Sequence, residues 1–273
     1  MTALNKVFDR TVALPTISQV VYELVEMTKN DKIELSEIVE RVRQDQTIAA
    51  KVIRVANSSF YGESGRVSSV DRAVNIVGLQ TLRTTVITSG VMSAFPRVLG
   101  INMAQYWRHG LTSAFMALEM ARFLDDDCEE AFTAGLMQGL GVLLIHLRLP
   151  DEAKLISAEV NPLDLSKRID LEQKLLGFSH NEVAAELLLR WRFPERIRNA
   201  ISNYPDATKG DLLCKIVCCS SEYAWCKISG LGERLIMTTL DAQITGELGL
   251  TQAWFEKRSA TVANAVDSIV ISR

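Results

Sequence analysis

Apolar residues recur along this chain at spacings of three and four rather than two, so helices are the expected elements almost throughout. After Pro15, Thr16 and Gln19 form a capping-box pattern, and Val20, Val21, Leu24 and Val25 then fall on one face of a first helix. Further helices are predicted at 36–43, 45–58, 69–77, 79–95, 102–124 and 129–148. Beyond these they are predicted at 150–160, 164–176, 179–191, 194–203, 211–229, 234–247 and 251–271. Asp45 and Ser69 suit N-cap positions, and Ser179 with Glu182 makes a second capping box. Valine is abundant, yet no strand-like alternation or Asn-Gly hairpin signal accompanies it, so the predicted fold class is all-α, a multi-helical bundle. Pro96 disfavours a helical residue before it and Gly100 ends the local order, which places a junction there. Residues 1–97 are expected to form an N-terminal helical subdomain and 98–273 a larger bundle, packed closely because the connections are short.

With 273 residues and 48% apolar content the chain buries one large core or two modest ones. Internal repeats and low-complexity tracts are not apparent. The 30 basic and 33 acidic residues nearly balance, which removes the broad positive footprint of a nucleic-acid or anionic-membrane binder. Residues 1–10 carry no apolar run that would make a secretory signal. The apolar stretch at 131–149 contains Gln138, His146, Gly135, Gly139 and Gly141 and suits a buried helix better than a membrane span, so a cytoplasmic address is expected. Of five cysteines, Cys214, Cys218, Cys219 and Cys226 share one predicted helix and cannot form a disulfide framework. Cys214 and Cys218 stand one turn apart, but no CxxC pair or nearby His completes a metal site, and small buried apolar side chains are the expectation.

Several ordered blocks carry a resemblance. The first half reads Leu14-Pro15-Thr16-Ile17-Ser18-Gln19-Val20, then Gln44 to Val52, Val55-Ala56-Asn57-Ser58-Ser59-Phe60-Tyr61-Gly62, and Ser68 to Leu79. The second half has Tyr106-Trp107-Arg108-His109, the Gly135 to Gly141 helix, Leu176 to Val183, and Trp191-Arg192-Phe193-Pro194. Over residues 14–221 this pattern resembles the HDOD domain, the HD-related output domain of bacterial signalling proteins. Ser18 and Gln46 stand where that family often has Pro, a departure of local turn geometry only.

The resemblance implies an HD-like bundle that has lost its chemistry. HD hydrolases hold a divalent metal with side chains from several helices, including an adjacent His-Asp pair that supplies an imidazole and a carboxylate together. Here Gln138-Gly139 occupies that position, a neutral amide followed by no side chain. Asn203-Tyr204 stands where active members have a His pair, and Ser221 where an Asp is common. Of the ligand set that the resemblance implies, His109 and His180 persist. Two imidazoles without a carboxylate match poorly the oxygen-preferring metals that activate water. Glu182 is expected to complete its capping box and Glu222 to sit on a solvated helix face rather than rescue the site. His146, in an apolar helix, is assigned no function, and three glycines in one helix imply close approach of a neighbouring backbone.

The helix at 45–58 ends in Asn57-Ser58-Ser59, and Gly62 turns the chain after Phe60-Tyr61. Two readings stand: Phe60 as core anchor with Tyr61 as a half-buried plug, or this turn as a docking surface with Asn57, Phe60, Tyr61 and Arg72 as interaction candidates. Arg54, Arg72 and Arg83 are expected to be solvated or paired within the fold, and Trp254-Phe255 either closes the core or forms an exposed contact. The expectation is a bacterial, non-catalytic signalling or regulatory module without metal or cofactor, whose partners are signalling proteins bound in trans. The alternatives are a metal-dependent phosphohydrolase of nucleotides or cyclic dinucleotides with atypical ligands, and a nucleotide sensor without turnover in a polar hollow lined by His109, Gln138 and His180.

Overall fold

The computed structural model describes residues 3–9, 13–27, 35–57, 66–204, 206 and 210–270, and among them every regular element is a helix. A short 3-10 turn, Ala3–Lys6, precedes α1 (Gln19–Met27), α2 (Leu35–Gln44), α3 (Gln46–Ala56) and α4 (Val70–Ala94). The chain continues through α5 (Met103–Leu124), α6 (Cys128–Met137), α7 (Leu140–Arg148), α8 (Pro150–Glu159), α9 (Leu165–Leu176) and α10 (His180–Arg190). It closes with α11 (Glu195–Asn203), α12 (Leu212–Ile228), α13 (Glu233–Thr239), α14 (Ala242–Glu247) and α15 (Gln252–Val270). The all-α expectation is met.

Local chemistry sets the ends of these helices. The Asp45 carboxylate accepts the N–H groups of Thr47 and Ile48, Ser69 caps α4, and Ser179 and Glu182 form the reciprocal box that opens α10. Thr16 does not cap α1, which begins at Gln19 with the Ser18 carbonyl accepting from Val21 and Tyr22. Val21 is fully buried there and Val20 half-buried, while the side chains of Leu24 and Val25 lie outside the described residues. Inside α4, Gly78 adopts φ +80° and ψ 167°, so the two helices expected on either side of it are the two arms of a kink that an L side chain would resist. The helix expected at 234–247 is broken where Leu240 turns extended and Asp241 caps a fresh start from the N–H groups of Gln243 and Ile244.

The long, almost fully buried α5 forms the axis of the larger part, with α6, α12 and α15 packed around it, while α3 and α4 pair in the first part. Arg83 on α4 holds Glu129 on α6 through contacts of 2.9 and 3.0 Å. Asp71, in the first turn of α4, pairs with Arg43 of α2. Residues before α1 lie against the larger bundle: Arg148 Nε donates to the Val7 carbonyl at 2.8 Å and its Nη2 to that of Asp9 at 2.5 Å. Trp191 Nε1 donates to the Pro15 carbonyl at 3.1 Å, and the Arg190 guanidinium sits 4.5 Å from the centre of the Phe8 ring. At the other end Trp254 and Phe255 are buried; Phe255 stacks on Tyr223 with ring centres 5.4 Å apart, so the pair closes the core. The apolar stretch from Cys128 to Arg148 is long and apolar enough to cross a membrane, but it is interrupted at Gln138-Gly139 and 89% of its most apolar window is buried by the rest of the fold.

Candidate functional site

The helix expected over 129–148 is two helices. Gln138 ends α6, its N–H bonded to the Ala134 carbonyl, and Gly139 opens α7. Close packing explains the glycines. A Cβ on Gly141 would lie 1.8 Å from the carbonyl oxygen of His180, and one on Gly135 would lie 3.0 Å from the Ala114 Cα. At Gly139 the neighbour is a side chain: a Cβ would stand 3.1 Å from the Tyr106 hydroxyl. Backbone approach therefore holds for α7 against α10 and α6 against α5, whereas Gly139, where the resemblance implies a carboxylate, is faced by a tyrosine.

His109 on α5 is buried, and burial lowers its imidazole pKa to about 4 against a smaller opposing contribution from a hydrogen bond to the Ser221 backbone. Its Nε2 has no hydrogen-bond partner. Gln138 donates from Nε2 to Ser113 Oγ at 3.4 Å, Ser113 meets Ser220 at 3.2 Å, and Gln138 Oε1 is left unpartnered. Ser221 Oγ lies 3.2 Å from the Tyr204 hydroxyl, so two neutral hydroxyls face each other where the resemblance implied metal ligands. Asn181, fully enclosed, donates its amide to the carbonyls of Ile201 (3.1 Å) and Tyr204, which pins the end of α11 to the start of α10. These bonds join α5, α6, α10, α11 and α12 in one buried polar seam.

His180 carries a second layer of partners that sequence reading missed. Glu172 Oε2 accepts both the His180 backbone N–H at 2.8 Å and its ring Nδ1–H at 2.6 Å, and the ring Nε2 is buried without a partner. Glu172 Oε1 takes Arg168 Nε at 3.0 Å, and all three side chains are 0% exposed. Burial alone would raise the Glu172 carboxyl, but His180 and Arg168 together hold it below the usual carboxylate range. From Arg168 the network runs on through Nη1 to Ser157 Oγ at 3.4 Å and from Ser157 to His146 Nε2 at 3.2 Å. His146 Nδ1 donates to the Leu99 carbonyl at 3.2 Å. His146, assigned no function, thereby ties α7 and α8 to the turn between α4 and α5. The only sequence signal for this cluster was the i,i+4 spacing of Arg168 and Glu172, normally the mark of a solvated face.

The divalent ion implied by the resemblance does not fit these residues. Among the described residues no group of three or more His, Cys, Asp or Glu is arranged to hold a metal. Glu172 is committed to Arg168 and to the far nitrogen of His180. Glu182 is committed to the capping box, as expected. Glu222 departs from expectation: it is half-buried because the start of α9 packs on it, and it accepts from Ser166 Oγ at 3.3 Å. Burial raises its carboxyl despite that hydrogen bond. No disulfide joins the cysteines, and burial pushes the Cys214 and Cys218 thiols up to about 11 and about 12, which suits inert packing groups.

Of the docking candidates, Phe60 and Tyr61 lie outside the described residues. Asn57 uses its amide internally, donating to the Val67 carbonyl at 2.8 Å and accepting the Val67 N–H at 3.0 Å, so it closes the ends of the segment between them. Arg72 is exposed on the first turn of α4.

The same architecture occurs in known proteins. A provisionally named phosphohydrolase from Shewanella amazonensis SB2B superposes with a TM-score of 0.80 at 28% identity, covering 99% of this chain and 97% of that one. An HDOD domain protein of unknown function from Geobacter sulfurreducens shares the fold at a TM-score of 0.78 and 23% identity, over 98% and 97% of the two chains. A curated but uncharacterized protein of Treponema pallidum (strain Nichols) is 24% identical over 201 residues, 71% of this chain; the match spans only 38% of that relative. The model of the HDOD domain matches residues 14–207, from the strapped segment before α1 to the end of α11 and just beyond. On that match and the fold it accompanies, the chain belongs to the HDOD family.

Proposed function

We propose that this chain is a non-catalytic regulatory module of bacterial signal transduction, working in the cytoplasm through contacts with signalling proteins in trans. The observation that carries the reading is the donor set at the HD-equivalent centre: a neutral amide at Gln138, no side chain at Gly139, two hydroxyls at Tyr204 and Ser221, and a nearby carboxylate, Glu172, fully engaged by Arg168 and His180. A hydrolytic metal needs anionic oxygen ligands and an open position for water, and this interior offers neutral acceptors instead. A provisionally named signal transduction protein of Marinobacter aquaeolei VT8 has the same fold at 22% identity and a TM-score of 0.75 over 98% of this chain and 64% of its own, a likeness of fold alone. Among the described residues the contact candidate offered to partners is Arg72, exposed on the first turn of α4.

The test is elemental analysis of the purified chain with phosphodiesterase and nucleotidase assays in manganese, iron or magnesium. Substoichiometric metal and no turnover are expected. Stoichiometric metal with turnover abolished in His109→Ala would replace this reading by that of a phosphohydrolase with atypical ligands. A saturable titration with a guanine nucleotide, without product, would favour a sensor. Affinity capture should yield a partner whose binding is weakened by Arg72→Glu.

A further inference from the structure

A cleft of about 300 Å³ opens between α5, α12 and α15, built largely from the part of the chain beyond the matched domain. Its floor is apolar and buried: Val262 and Val266 of α15 with the Tyr223 ring of α12 and Thr112 of α5. Its rim carries Arg108 and Lys227. The lining holds two cations and no carboxylate, in a chain whose net charge is −3. Another cleft, on the other flank of α15, is lined by both Glu119 and Arg122 and has no such bias.

Concave sites with an apolar floor and a few placed polar groups are the usual form of small-ligand sites. The chemistry of this one selects for charge at one end and hydrocarbon at the other. Arg108 presents five N–H donors in a planar fork, and its contact with Asp267 at 2.9 Å takes one of them. That ion pair is nearly half exposed on both sides, 46% and 44%, so it is weak, screened and open to an added anion. Lys227, whose Nζ reaches Ser259 Oγ at 3.4 Å, brings a second positive charge to the same mouth. A phosphate or carboxylate at the rim would be bound by charge-assisted hydrogen bonds while an apolar body displaced water from the floor.

We infer that this cleft binds a small amphipathic organic anion, a phosphate or carboxylate bearing a short apolar body. The site does not depend on the absence of catalysis, because it shares no residue with the seam of His109, Gln138 and His180.

Calorimetric titration of the full chain with hexyl phosphate, hexanoate, hexanol and inorganic phosphate tests it. Saturable one-site binding of hexyl phosphate or hexanoate is expected, with whichever binds identifying the head group. Hexanol and inorganic phosphate, each lacking one half of the recognised pattern, should bind at least about tenfold more weakly. Arg108→Met/Lys227→Met keeps the aliphatic stems and should weaken the anion about tenfold or more, and Ala263→Phe, placed on the exposed edge of the cleft, should block it without touching the charges. Thermal melting of both variants confirms that they fold. No saturable binding of either anion would overturn the inference. So would hexanol binding as tightly as the anions, or affinity unchanged in the folded variants.

Discussion

Replacing Glu172 by Gln keeps the shape of the side chain and removes its charge, which makes it the sharpest probe of the interior around His180. Arg168 is 0% exposed, and its Glu172 contact is 3.0 Å; its other acceptors are the neutral Ser157 hydroxyl at 3.4 Å and the Val160 carbonyl at 3.5 Å. At an effective dielectric near 20, unit charges at that separation attract by about 5 kcal/mol. Stranding one partner of a buried pair costs about 3–5 kcal/mol in practice. Equilibrium urea unfolding at pH 7 should therefore show Glu172→Gln losing about 3–5 kcal/mol, a large part of the roughly 5–15 kcal/mol that holds a domain together. Adding Arg168→Met removes the stranded cation, so the double variant should recover about 2 kcal/mol rather than lose more. A single-variant loss below about 1 kcal/mol, or a double variant weaker than the single, would refute the claim that the carboxylate is spent on Arg168.

Gly141→Ala should cost more than about 3 kcal/mol or prevent accumulation of folded protein, because its Cβ would sit 1.8 Å from the His180 carbonyl oxygen; Gly246→Ala, with nothing within 4 Å, should be neutral or slightly stabilising in the same melts. His109 has a folded pKa of about 4 against an ordinary 6.5, so the unfolded chain binds a proton that the native one refuses between those values. Its contribution, about 3 kcal/mol, is present above pH 6.5 and lost as pH falls towards 4; urea midpoints at pH 7 and pH 5 should differ less in His109→Gln than in the parent. Asn57→Ala removes both bonds to Val67 and should cost about 2 kcal/mol, with faster proteolytic cleavage between residues 57 and 67 as the readout.

The helices were legible where the determinants are local. Asp45, Ser69 and the Ser179–Glu182 box act within one turn, and the break expected between 69–77 and 79–95 falls at Gly78, the one residue type at ease in that conformation. Thr16 misled because a capping pattern does not say where the helical bonds begin, and Asp241 was passed over as an N-cap within an apparently continuous helix. The division of 129–148 at Gln138 was invisible because the residues on either side of it, 131–137 and 140–146, are all buried and almost all apolar. In the site, residue types showed where the sequence departs from the ligand set that the resemblance implies, but not which contacts stand there. Tyr106 opposite Gly139, Glu172 behind His180 and Ser113 beneath Gln138 are contacts between separate helices, and no spacing encodes them. Glu222 was misplaced for the same reason, since α9 is what covers it.

Arg148, Arg190 and Trp191 hold Val7, Phe8, Asp9 and Pro15 against the larger bundle, so these residues ahead of α1 are part of its packed surface. Arg148 stands at the end of α7 and Arg190 at the end of α10, so cutting the chain ahead of α1 would take these contacts from both helix ends.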